Sequence, residues 1–113
     1  MRVALFGLLL ISLFACTNKP RIPENVLPEA KMRTVLWDIM RADEWVVHEQ
    51  NQDSTVDRYK RSMELYQKVF QINGITDSQF KTSFRYYQSR PELLKPLFDS
   101  LQRRSPRLDL PVQ

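Results

Sequence analysis

Apolar residues return at helical spacing along most of this chain. From Met32, the positions Val35, Leu36, Ile39, Ala42 and Val46 follow at steps of three and four, which draws one apolar face along a helix. That helix is expected to open at Pro28 or Glu29 and to run to about Glu49. Proline suits a first helical turn, and Glu29 suits its positive end. Gln50 to Ser54 form a polar break in which Asp53 or Ser54 is a candidate cap. A second helix is expected from Thr55 to Asn73. Val56, Tyr59, Met63, Tyr66 and Phe70 make one seam, and Leu65, Val69 and Ile72 a second stripe. Two apolar stripes predict two neighbours, and so the central helix of the domain.

Gly74 marks a helix stop, because glycine accepts the positive φ such a stop requires. Thr76 followed by Gln79 is a capping-box pattern that starts a third helix, with Phe80, Ser83, Phe84 and Tyr87 on one face and an end near Ser89. Pro91 opens a fourth, apolar at Leu94, Leu97, Phe98 and Leu101. Pro96 falls inside it and lacks the amide hydrogen, which predicts a kink or a later helix start. No segment has the alternation of a strand. The pattern therefore predicts an all-α fold, a small bundle of three to four short helices over residues 27–104, followed by a disordered tail over 105–113.

The N-terminus follows a different pattern. Met1-Arg2 leads into an apolar run from Val3 to Phe14, broken only by Ser12, and Ala15 precedes Cys16, the only cysteine in the chain. A bilayer-spanning helix needs about 20 apolar residues, so this run has the size of a signal-peptide core instead. Leu13-Phe14-Ala15-Cys16 resembles a bacterial lipobox. There a thiol accepts a diacylglycerol, and a small residue before it admits the peptidase. The reading assigns residues 1–15 to a signal peptide and Cys16 to lipidation, with a diacylglycerol on sulfur and an N-acyl chain. It also disposes of an unpaired thiol in an exported protein. Residues 16–26, with Pro20 and Pro23, then form a tether; its ten residues after Cys16 span roughly 30 Å when stretched. The chain carries 17 basic and 13 acidic residues, and an exported basic protein is expected to meet anionic head groups or acidic protein surfaces rather than nucleic acid.

"MRTVLWDIMRAD" and "YQKVFQINGITDSQFKTSFRYYQSRPELL", placed after a lipobox and a proline tether, carry a resemblance. The matching positions are Met32, Leu36, Asp38 and Ala42, then Tyr66, Phe70, Gly74, Ile75, Phe80, Ser83, Tyr86, Tyr87 and Pro91. Over residues 22–104 the chain resembles the small Bacteroidota lipoproteins of domain of unknown function 4296. Met40 stands where that family often has histidine, and Trp37 and Trp45 depart from its pattern. The resemblance implies a helical fold and an envelope location, and no activity. The tether lacks the acidic run that directs some such lipoproteins to the cell surface. An outer-membrane anchor with the domain on the periplasmic face is therefore expected, the cell surface being the alternative.

Candidate chemistry is sparse. Asp43 lies within the apolar face of the first helix and Asp38 beside it, where a carboxylate needs a partner. Tyr59, Tyr86 or Tyr87 are candidate donors, and solvent or an arginine the alternative. Asp38, Asp43, Tyr86 and Tyr87 are thus the candidate buried polar groups, the tyrosine hydroxyls being expected to stay wet. Trp37, Arg41 and Trp45, four residues apart, can form a cation–π ladder, a candidate partner-binding face unless the fourth helix or the tail covers it. Lys95, Arg103, Arg104 and Arg107 make a basic end that complements the helix dipole or meets anionic lipid. Ser83 has no base other than His48, and one histidine with scattered carboxylates makes no metal set. The expected function is a non-enzymatic accessory or scaffold, membrane-anchored through lipid and without cofactor, metal or small-molecule substrate, that binds a larger envelope protein. A chaperone-like module for unfolded envelope proteins is the alternative.

Overall fold

The computed structural model describes residues 21–104; the expected signal peptide, Cys16, most of the tether and the tail lie outside the described residues. Within them the chain forms helices α1 (Glu29–Gln52), α2 (Arg58–Asn73), α3 (Asp77–Gln88) and α4 (Pro91–Arg104). The fold is all-α, as the periodicity predicts, and no described residue is in a strand.

The boundaries follow local chemistry. α1 starts after Pro28 and continues three residues beyond Glu49, closing on the Asp53 amide, which donates to the Glu49 carbonyl. Asp53 is not the cap of α2. Its carboxylate instead accepts from the Thr55 amide at 2.9 Å and the Thr55 hydroxyl at 2.7 Å, a local turn that holds its pKa below the usual range. The cap is Asp57, which accepts from the Lys60 amide at 3.1 Å, so α2 begins three residues later than Thr55. Gly74 ends α2 at φ 64°, and the Ile75 amide reaches back to the Phe70 carbonyl. Thr76 and Gln79 form the expected reciprocal capping box. α4 runs from Pro91 through Pro96 without a late start. Pro96 and Glu92 are both exposed, so water can serve the carbonyl that the missing amide leaves unbonded.

Packing is organised around α1, which lies along α2 for much of its length and also meets α4; α3 in turn packs on α4. α1, rather than α2, is therefore the central element. The N-terminal half of α2 has α1 alone beside it. Tyr59 and Met63, expected in a seam, are exposed for that reason, and so is Ile72 at the far end. The core gathers Met32, Val35 and Leu36 from α1, Val69 and Phe70 from α2, Tyr87 from α3, and Leu97 and Leu101 from α4. The Phe70 and Phe80 rings, 5.3 Å apart, join α2 to α3.

The core also contains Val26 and Leu27, with Ile22 packed against it. The tether assigned to residues 16–26 thus ends early. A turn in which the Val26 amide bonds to the Pro23 carbonyl folds this lead-in onto the domain. The Leu27 amide donates to Ser83 Oγ at 2.8 Å, and the Tyr87 hydroxyl donates to the Leu27 carbonyl at 2.8 Å. Ser83 and Tyr87 sit one turn apart on α3, both fully buried. The Tyr87 hydroxyl, expected to stay wet, is dry, and Ser83 is a buried hydrogen-bonding group. Burial is also what raises the Tyr87 pKa.

Two outcomes test these assignments. Gly74→Ala meets no neighbouring atom, so its cost is the left-handed backbone alone, about 1 kcal/mol, with a Tm lower by about 4–8 °C. Ser83→Ala orphans the buried Leu27 amide, and Tyr87→Phe orphans its carbonyl. Since orphaned N–H groups are the rarer and dearer, chemical denaturation is expected to rank Ser83→Ala (about 2–3 kcal/mol) above Tyr87→Phe (about 1 kcal/mol).

Candidate functional site

α1 and α2 are antiparallel, and three polar contacts set their register. Glu49 receives the Arg61 guanidinium on both oxygens, at 2.8 and 3.0 Å. Asp43 accepts from the Tyr66 hydroxyl at 2.5 Å. Asp38 accepts from Asn73 Nδ2 at 2.9 Å, and the same amide group donates to the Val69 carbonyl. The carboxylates that α1 places beside its apolar face are therefore both partnered, by α2. Tyr59, Tyr86 and Tyr87 are not the donors. Tyr66, Asn73 and the Glu49–Arg61 pair escape a reading of α1 alone. The available signal is that Tyr66 and Asn73 share the α2 face with Phe70 at steps of three and four.

The pairs differ in chemistry. Burial, then the hydrogen bond to the Asp43 carboxylate, pushes the Tyr66 hydroxyl pKa well above the ordinary tyrosine range. Arg61 is first among the groups that hold Glu49 below the ordinary glutamate range, and Trp45 Nε1, donating to Glu49 at 2.7 Å, adds to it. Arg61 also reaches Glu64 at 3.1 Å. Trp45 is thus 54% exposed yet held in place by a carboxylate that is itself clamped from α2.

The Trp37–Arg41–Trp45 row does not form a ladder. Trp37 is half-buried against the core, and the guanidinium over its ring, 4.8 Å from the centroid, belongs to Arg104 of α4. Arg104 therefore covers one end of the row. Tyr86 is half-buried at the other side of the domain, edge-on to Tyr87 and beneath Arg90, whose guanidinium lies 4.6 Å from its centroid.

What the α1–α2 register does create is an open groove of ≈ 440 Å³, lined by Asp38, Arg41, Ala42 and Trp45 from α1 and by Leu65, Lys68, Val69 and Ile72 from α2. The register sets Ile72 near Asp38 at one end and Trp45 near Leu65 at the other, about 10 Å apart along α1. Arg41 and Lys68 stand across from each other at the middle. Both are exposed, and neither is in an ion pair among the described residues. Asp38, the one acid in the groove, is engaged by Asn73. Ile72 is 81% exposed, an unusual position for an isoleucine. The surface is an apolar slot with a fixed aromatic at one end and two like charges facing across it, an arrangement that suits binding an acidic, apolar surface. Among the described residues no group of His, Cys, Asp and Glu gathers as a metal site, and no helix is long and apolar enough to cross a membrane.

A stability–pH profile is expected to fall at both ends. Glu49 contributes above the unfolded glutamate pKa and ceases to as pH drops through its depressed folded value. Tyr66 contributes below the unfolded tyrosine pKa, about 10, and ceases to as pH rises beyond it. Thermal melts of Arg61→Met are expected to flatten the acid limb, and those of Tyr66→Phe to reduce the alkaline one.

The family model described as domain of unknown function (DUF4296) matches residues 23–106. No curated protein and no solved structure matches the chain.

Proposed function

The chain belongs to the family of the domain of unknown function DUF4296, and from that premise we propose that it is a non-enzymatic accessory lipoprotein of the cell envelope, which binds a larger envelope protein through the α1–α2 groove. The observation that carries the reading is the pairing of exposed Trp45 and Ile72 with Arg41 and Lys68, cations without an ion-pair partner among the described residues, on one surface. Exposed aromatic and aliphatic groups cost solvation and recur at protein interfaces, where Trp and Arg dominate affinity. The clamp of Glu49 on the Trp45 indole reduces the ordering cost of using that ring as an anchor.

The membrane attachment rests on the sequence: Cys16 at the end of a signal-like apolar run, with only a few residues between it and Ile22, where the chain joins the domain. Lipidation of that cysteine would hold the groove beside an outer membrane, on its periplasmic face. The basic residues Lys95, Arg103 and Arg104 of α4 would favour nearby anionic head groups. The alternative reading, a chaperone-like module, draws support from the same apolar slot. Its short length, about two helical turns, and its paired cations favour one defined partner over many clients.

The test is crosslinking in native envelopes with recovery of bound protein, comparing the natural chain with the double variant Trp45→Ser, Ile72→Ser. One stoichiometric partner, recovered at least tenfold less with the variant, is the expected result; that loss corresponds to about 1.4 kcal/mol. The natural helical circular dichroism signal in the variant excludes misfolding as the cause. Undiminished recovery would sink the groove assignment, and a broad client set would favour the chaperone reading. Radiolabelled fatty acid, incorporated by the natural chain and absent from Cys16→Ser, checks the anchor.

A further inference from the structure

The apolar ends and the cations of the α1–α2 groove stand in helical step. The register sets Ile72 level with Asp38 and Leu65 level with Trp45, so the two ends lie about 10 Å apart, two turns on either helix. Arg41 and Lys68 fall between these levels, one on each helix, both exposed and in no ion pair among the described residues. Buried Val69 and half-buried Ala42 form the floor between them. Residues 38–45 and 65–72 lie inside α1 and α2, whose N–H groups are spent on the helices themselves. An extended segment in the slot therefore finds no edge to pair with and leaves the backbone groups on its buried side unbonded. A helix carries its hydrogen bonds with it. A second copy of this chain is a poor occupant, because two such slots set in register would bring four cations together at the middle.

We propose that the groove receives an amphipathic helix of the partner protein, with apolar side chains at positions i and i+7 and carboxylates at i+3 and i+4. The inference rests on the groove being the partner-binding face. A helix laid along α1 and α2 rises at the same rate, about 1.5 Å per residue, so its i and i+7 side chains reach the two apolar ends together. One meets Ile72 and the other Trp45, whose indole is held by Glu49. At about 100° per residue, i+3 and i+4 lie about 60° and 40° to opposite sides of the anchor at i. One carboxylate is thus turned toward Arg41 and the other toward Lys68, and their stems cover the floor of Ala42 and Val69. The two pairs offset the like charge that faces across the slot. A slip of one turn would set a carboxylate beside Ile72 or Trp45 and an apolar group between the cations, so charge fixes the register of the guest helix.

The probes are two capped, fluorescein-labelled peptides of about 18 residues and identical composition, with leucine at i and i+7 in a glutamine and serine host. One carries glutamate at i+3 and i+4, the other at i+1 and i+5, which face away from the slot. Fluorescence anisotropy with the full-length protein in nonionic detergent is expected to give a Kd about fivefold lower for the first peptide. Circular dichroism of that mixture is expected to show helix beyond the sum of its parts. Arg41→Glu with Lys68→Glu is expected to abolish the preference and to favour a third peptide with lysine at i+3 and i+4. Equal affinities, no binding, binding without added helix, or a preference unchanged in the charge-reversed variant would each overturn the proposal. A failed peptide preference beside partner recovery that still depends on Trp45 and Ile72 would overturn the guest helix and leave the groove reading standing.

Discussion

The domain depends on how the backbone of one residue, Leu27, is held. Its amide donates to Ser83 and its carbonyl accepts from Tyr87, both at 2.8 Å and both out of water. These are contacts between residues 56 and 60 positions apart. They join the segment that precedes α1 to the buried face of α3, and α1 and α3 are not principal packing neighbours. A buried backbone group without a partner costs about 1–3 kcal/mol. The clamp therefore decides whether Val26 and Leu27 can enter the core at all. With them in place, α1 emerges at a fixed angle, and α4 can close on Met32, Val35 and Leu36.

From there the molecule divides. Around the lead-in, α3, α4 and the start of α1, apolar burial dominates. Along the rest of α1 and α2, polar rungs do more of the work: Asp38 with Asn73, Asp43 with Tyr66, Glu49 with Arg61. Val46 is fully buried there but outside the main cluster. Partly exposed rungs each contribute modestly, and their joint effect is a single register for the two helices. That register is what sets Arg41 against Lys68 and leaves Trp45 and Ile72 at the two ends of one slot.

The helices were legible in the sequence because their signals are local. Gly74, the Thr76–Gln79 box and the three-four spacing of α1 and α3 each act within a few residues. The α1–α2 loop was harder, since Asp53, Ser54 and Asp57 are all chemically able to cap, and only geometry selects the last. Prolines 20 and 23 obscured the lead-in: they announce an extended tether, whereas Val26 and Leu27 are buried by partners far along the chain. Tyr59 and Ile72 fit apolar stripes yet are exposed, because a stripe states what a helix can bury and not what is available to bury it. The site was legible only in part. Trp45 and Arg41 stood out at helical spacing, but Lys68, Leu65 and Ile72 join them through register, and Trp37 is taken by Arg104.

The Leu27 clamp also has a mechanical side. Tension drawn through residues before Ile22 reaches Leu27 ahead of α1. There it passes into α3 through two hydrogen bonds that bear load together and must fail together. The polar contacts that set the α1–α2 register, Asp38 with Asn73, Asp43 with Tyr66 and Glu49 with Arg61, lie beyond this clamp, so a pull from the N-terminal side meets it before it reaches the slot between Trp45 and Ile72.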